Sequence, residues 1–340
     1  MFPACALFDT LKQKGYSVKL VTDKRGNVFC NDINNSDKIL LNTIRFSIRH
    51  LAAVIFKSAG VFFKLFRMWF NNRPTIAIGF GNFCTIVPLI TAKIFGAKII
   101  LYEQNSIIGK ANSFLSYIAD LKLAAFVVGD GWQHLASPAR KEFLEKKNIP
   151  YVCDEKIKIL VIGGSQGAKS FNSIIPMAIS KLDESLRQKI EITQQVEYEN
   201  LEPLKEFYEK FGVQSTLLKF VNNVAEIMSD SQLVICRSGA STLTELSVLG
   251  RPAILIPYPK AANNHQYHNA LYYKNKNAAW LLEEKDNFQE TALELSKILR
   301  KILKNKQLLK STASNMINTS ASNAMDDFVK LINCILKKGG

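Results

Sequence analysis

The sequence predicts an α/β protein of two domains, each a parallel sheet flanked by helices. Three observations carry that prediction. Short runs rich in Val, Ile and Leu alternate with longer stretches of helical spacing, and the alternation occurs twice, on either side of a polar segment. Two of the apolar runs, one ending at Gly163 and one at Cys236, pass directly into turns of glycine and small polar residues that open a helix. The chain has 340 residues, 47% apolar and 21% charged, which is enough for two separate cores.

Taken in order, MFPACALFDTLKQKGYSVKLVTD opens with helical spacing at Ala4, Leu7, Phe8 and Leu11, stopped by Gly15, and continues into a short strand through Val18, Leu20 and Val21. A doubly wound domain places a strand and a glycine turn before such a helix, and neither precedes this one. Candidate strands of a first sheet follow at 17–23, 75–81, 97–104 and 120–128. The polar stretch Gly129–Lys156 reads as the linker. A second set of strands is expected at 157–164, 189–196, 215–221, 232–239 and 251–259. The expected domains are 1–145 and 156–323, facing each other across a cleft, with a closing amphipathic helix over about 324–340 packed back on the first.

The net charge of +15 suits an anionic partner, either a phosphorylated substrate, an acidic membrane face or nucleic acid; it also suits plain lysine-rich solubility. No groove-reading or base-stacking motif is present, so nucleic acid is not expected as a partner. The six cysteines form no CxxC pair and stand beside no His cluster, which argues against a metal site or a disulfide framework and for a reducing cytoplasm. The longest uncharged run, 74–92, is broken by Gly79, Gly81, Asn82 and Pro88 and does not read as a membrane span.

The sharpest local signal is IKILVIGGSQGAKSFN, a buried strand running into Gly163, Gly164, Ser165, Gln166 and Gly167 and then a helix. Glycines let the backbone approach a ligand, and the helix start favours a phosphate. An ordinary tight turn is the competing reading. In CRSGASTLTELSVLG, Thr242 and Glu245 fit a capping box on a helix started by Ser241 or Thr242. Glu245 equally suits a ribose, because a carboxylate accepts from two hydroxyls at once. In NNHQYHNA, His265 and His268 lack a third ligand for a metal, and Gln266 can both donate to and accept from a sugar hydroxyl. GFGNFCTIVP and YEQNSIIGKAN place further polar groups, among them Asn105, just after first-domain strands.

Together GFGNF, YEQNSIIGKAN, GGSQGAKSFN, RSGAST-TEL, GRPAILIPYP and NHQ--NA resemble the MurG family of UDP-N-acetylglucosamine:lipid I N-acetylglucosaminyltransferases, over nearly the whole chain. The resemblance implies the GT-B fold of two Rossmann-like domains and an inverting transfer of GlcNAc from UDP-GlcNAc to the muramyl 4-hydroxyl of lipid I, with no cofactor or metal. Residue by residue it implies Ser165 in the phosphate loop of Gly163, Gly164 and Gly167, and donor contacts along Ala240, Ser241, Thr242, Leu243 and Thr244. Glu245 is implied at the ribose, Gln266 at the sugar, and the backbone of Val221 at the uracil. Asn105 and, in SPAR, Arg140 complete the implied donor set.

Gly79 and Gly81 are implied in the acceptor loop, where Asn82 replaces a family glycine and should stiffen the turn. The family's GGTGGH loop, with its favoured general base, would lie before Met1, so an alternative expectation is an impaired remnant that still binds UDP-sugar. In RHLAAVIFKSAGVFFKLFRMWFNNR, Phe63, Phe66, Trp69 and Phe70 interleave with basic residues, as in a helix resting on an anionic bilayer; a helix buried on the sheet is the competing reading. With a lipid-linked acceptor, the expected location is the cytoplasmic face of the bacterial inner membrane.

Overall fold

A computed structural model describes residues 2–30, 33–43, 51–126, 129–153, 155–163, 168–320 and 323–338. Two units are distinguished, residues 1–140 with 323–340, and residues 141–322, so the division falls ahead of the expected boundary at 145.

In the first unit, helical spacing makes α1 (Phe2–Gln13) bury Ala4, Leu7, Phe8 and Leu11 on one face, and Gly15, with φ +85°, lets the chain turn away. The elements that follow are β1 (Leu20–Asp23), α2 (Lys24–Asn27), β2 (Lys38–Leu41), α3 (Leu51–Asn71), β3 (Ile76–Gly79), α4 (Ile86–Ile94), β4 (Lys98–Glu103), α5 (Lys110–Leu115), β5 (Leu121–Ala124) and β6 (Gln133–His134). Among the described residues of this unit all strand pairings are parallel. β1 and β2 form a sheet of two, while β3-β4-β5-β6 form a sheet of four; among the described residues β1 pairs only with β2, and β3 only with β4. β4 is buried on both faces, as an internal parallel strand should be. Its Ile99 and Leu101 share a core with Val61, Leu65 and Trp69 of α3, and its Ile100 and Tyr102 share one with Leu7 and Leu11 of α1.

The second unit contains α6 (Lys141–Leu144), β7 (Ile157–Ile162), α7 (Phe171–Ser180), α8 (Glu184–Arg187), β8 (Ile190–Gln195), α9 (Leu201–Lys210), β9 (Gln214–Leu218), α10 (Val224–Asp230), β10 (Leu233–Cys236), α11 (Ala240–Leu249), β11 (Ala253–Leu255), α12 (His265–Asn275), β12 (Ala279–Leu281), α13 (Phe288–Leu303) and α14 (Lys306–Ile317). Its six strands are parallel in the order β12-β11-β10-β7-β8-β9. The chain builds outward from β7 through β8 to β9, then crosses back to β10 on the other side of β7. The order therefore reverses between β7 and β10, and in such sheets ligands bind outside the strand C-termini at that point.

The last helix, α15 (Ala324–Lys338), belongs to the first unit. Phe328, Val329 and Ile332 join Leu7, Leu11 and Tyr102 in one core, and the Tyr16 hydroxyl donates to Asn333 Oδ1. No described helix is long and apolar enough to cross a membrane.

Candidate active site

At the reversal point of the second unit, β7 delivers Gly163 and β10 delivers Arg237, Ser238 and Gly239 to the same sheet edge. Gly164, Ser165, Gln166 and Gly167, expected to form a phosphate loop, lie outside the described residues. The start of α11 differs from the expectation of Ser241 or Thr242 as cap. The N-cap is Gly239, extended at φ −67° and ψ 139°, and no side chain caps the helix. Ala240 is thus the first helical residue, and Thr242 with Glu245 cannot form a capping box, because Thr242 already sits inside the first turn. Gly239 offers no side chain to the backbone N–H groups that open the helix, at its positive dipole end.

Around this helix start, Ser241 and Thr242 are half-buried, Thr244 Oγ1 donates to Ala240 O (3.0 Å), and Leu243 is buried, so its side chain serves packing. Glu245 lies one turn further in and is only 5% exposed. Burial, with the Glu245 charge adding to it, pushes the Cys236 thiol up to about 12. Gln266, at the start of α12, is held by its carboxamide oxygen, which accepts from Tyr258 N (3.0 Å), while its backbone carbonyl accepts from Ser238 Oγ (2.7 Å). Its amide nitrogen has no partner among the described residues, so it remains available to a ligand. Asn269 Nδ2 donates to Ser238 O (3.2 Å), a second tie between α12 and the turn after β10. Val221 lies in the turn after β9 with its side chain buried.

Sequence reasoning passed over Arg237. Its Nη1 pairs with Glu284 Oε2 at 2.6 Å and also donates to Ile256 O (3.2 Å) and Pro257 O (3.0 Å), while Nη2 donates to Ser170 Oγ (3.0 Å). The guanidinium centre lies 4.6 Å from the Phe171 ring and 5.6 Å from that of Tyr258. One cation therefore joins the ends of β10 and β11, the start of α7 and the segment after β12. The available signal was a lone arginine directly after the uncharged strand LVIC.

In the first unit, the turn after β3 is shaped by close packing. A Cβ on Gly79 would lie 2.5 Å from Leu89 Cδ1, and Gly81 has φ +75°. Asn82 adopts φ +72° and ψ 152°, backbone that is otherwise glycine territory, and its Oδ1 accepts from Phe83 N (2.7 Å). After β4, buried Glu103 gathers the next loop: it accepts from Asn105 N (3.1 Å), Asn105 Nδ2 (3.2 Å), Gly109 N (2.9 Å) and Asn112 Nδ2 (2.9 Å). Gln104 Nε2 reaches Phe80 O (3.4 Å), which ties this loop to the turn after β3. Glu103 is thus the organiser of the loop that presents Asn105. Arg140, at the end of the unit's first segment, holds its guanidinium 4.9 Å from the Phe2 ring.

The aromatic helix α3 needs one correction. Phe63 (69% exposed), Phe66 (38%) and Phe70 (65%) face outward, but Trp69 (9%) belongs to the core with Val61 and Leu65. Helical spacing explains the split, because positions 61, 65 and 69 share one face and 63, 66 and 70 the opposite one.

Comparison with known proteins bears on both units. Residues 1–122 match the glycosyltransferase family 28 N-terminal domain, and residues 158–331 match the glycosyltransferase family 28 C-terminal domain. The chain is 34% identical over 299 residues to the UDP-N-acetylglucosamine--N-acetylmuramyl-(pentapeptide) pyrophosphoryl-undecaprenol N-acetylglucosamine transferase of Bartonella quintana, covering 84% of this chain and 78% of the relative. It is 32% identical over 347 residues to the transferase of the same name from Rhizobium meliloti, covering 98% and 92%. The crystal structure of Acinetobacter baumannii MurG shares the GT-B fold, with a TM-score of 0.81 at 24% identity over 98% of this chain and 95% of that one. With both halves matched by glycosyltransferase family 28 models and relatives aligned over most of its length, the chain belongs to the MurG family.

Proposed function

We propose that this protein transfers GlcNAc from UDP-GlcNAc to the muramyl 4-hydroxyl of lipid I, making lipid II for peptidoglycan. The observation that carries the reading is the start of α11, a helix with no side-chain cap beside the Gln266 amide and the buried Glu245. Its N–H groups and dipole suit the diphosphate of UDP and the charge that develops as UDP leaves. Glu245 accepts from the ribose hydroxyls, Gln266 donates to the sugar, and the Val221 backbone reads the uracil. Ser165, in the loop with Gly163, Gly164 and Gly167, holds the diphosphate, and Ala240 to Thr244 line the donor. Asn105 and Arg140 supply the donor contacts of the first unit. A general base takes the acceptor proton as the hydroxyl attacks the anomeric carbon.

The turn with Gly79 and Gly81 receives the lipid-linked pyrophosphate, and the protein works peripherally on the cytoplasmic face of the bacterial inner membrane. The exposed rings of Phe63, Phe66 and Phe70, next to Lys64, Arg67 and Arg73, and the net charge of +15 support attachment to an anionic surface. Calorimetric titration with UDP tests the donor half. Saturable binding that Glu245→Ala weakens about tenfold or more is expected. Equal binding of UDP by the variant, or no binding by the parent, contradicts the assignment.

A further inference from the structure

A cavity of about 470 Å³ opens in the first unit among α3, the turn after β3, the start of α4 and α5. Val61, Phe83, Val87 and Phe114 give it apolar walls, and the exposed Lys57 and Lys110 line it as well. Neither lysine has an ion pair or hydrogen bond among the described residues. An apolar pocket edged by cations matches a ligand that is hydrocarbon at one end and anionic at the other. The relatives' names state a pyrophosphoryl-undecaprenol substrate, a long unsaturated chain carrying a pyrophosphate.

We infer that this cavity receives the first isoprene units of a polyprenyl pyrophosphate, with Lys57 and Lys110 facing the pyrophosphate. The inference rests on the reading of the chain as a lipid I transferase and assigns the lipid end of the acceptor a site of its own. Two further observations favour one bound chain over general contact with a bilayer. The cavity is lined from α3 by positions 57, 58 and 61, whereas the outward rings 63, 66 and 70 lie on the opposite face of the same helix. Phe83 follows Gly81 and Asn82 directly, so the cavity adjoins the turn expected to hold the acceptor's pyrophosphate.

The test is calorimetric titration of the full chain, without membranes, with farnesyl pyrophosphate and with inorganic pyrophosphate. Burial of even one isoprene unit predicts that farnesyl pyrophosphate binds at least about tenfold tighter. Ser58→Trp, which fills the cavity, removes that preference, and Phe114→Ala, which trims an exposed ring, reduces it. Lys57→Gln with Lys110→Gln weakens binding of both probes and leaves their ratio in place. UDP binding, measured on each variant, reports an intact second unit. The inference is overturned if both probes bind alike, if Ser58→Trp and Phe114→Ala leave the preference unchanged, or if dodecanol matches farnesyl pyrophosphate, which would mark a general greasy patch. Loss of UDP binding in the parent protein would instead overturn the transferase reading.

Discussion

Arg237 and Glu284 form an ion pair of 2.6 Å in which each side chain is 9% exposed, beside the turn that opens α11. A buried pair of this kind adds little net stability over an apolar pair, but removing one partner strands a charge. Arg237→Ala should therefore cost about 3–5 kcal/mol in chemical denaturation, with Glu284→Gln milder because the amide oxygen still accepts. Both should weaken UDP binding, since Arg237 also holds Ser170 at the start of α7 and the carbonyls after β11. Stability loss with unchanged UDP affinity would confine the pair to a structural role.

Asn82 combines a glycine-like backbone with a hydrogen bond of its own side chain to Phe83 N. Asn82→Gly relieves strain but loses that bond, so its stability should stay within about 0.5 kcal/mol of the parent. Asn82→Ala keeps the strain and loses the bond, and should cost about 1–2 kcal/mol. Denaturant midpoints of the two variants check the ordering, and an alanine variant as stable as the glycine one would show the turn to be unstrained.

Asp120 stabilises the first unit in a pH-dependent way. Partial burial raises its pKa, but Lys93 Nζ (2.7 Å) and Ile99 N (2.8 Å) outweigh that and hold the carboxyl below its ordinary value. A lowered folded-state pKa means that the contribution is present above the unfolded value of about 3.9 and is lost as pH falls through the folded one. Between about pH 5 and 3 the parent should lose more stability than Asp120→Asn. Parallel loss in the two proteins would show that Asp120 is not linked to folding.

On α3 the two aromatic faces predict opposite phenotypes. Replacing Phe63 and Phe70 by Ser should lower sedimentation with anionic vesicles about tenfold while leaving the melting temperature near that of the parent. Trp69→Ala should destabilise by about 3–5 kcal/mol, because Trp69 fills the core beside Leu65 and Leu89. Vesicle binding that survives the double serine variant would move the membrane contact elsewhere.

Much of the fold was legible because apolar strands and their following turns are local signals. Every expected strand has a counterpart, from β1 at Leu20–Asp23 to β11 at Ala253–Leu255. The three strands that escaped notice, β2, β6 and β12, are two to four residues long and are defined by pairing with β1, β5 and β11, information that is not local in sequence. The cap of α11 was misread for a related reason: ST-rich text suggests capping, but the chain spends Gly239 on the cap and places Ser241 and Thr242 inside the helix. Arg237 and Glu103 were not recognisable as organisers, since their partners come from segments brought together only by folding. Trp69 was grouped with its exposed neighbours because one apolar stretch supplied two faces of a helix.

The most direct test of the central claim is transfer itself. The full chain is mixed with UDP-[14C]GlcNAc and lipid I in anionic vesicles, and radiolabelled lipid and released UDP are followed together. Label should enter lipid in step with UDP release, a transfer abolished with donor lacking the sugar and strongly reduced by Glu245→Ala. UDP released to water with no labelled lipid, or label transferred equally well by Glu245→Ala, would contradict that claim.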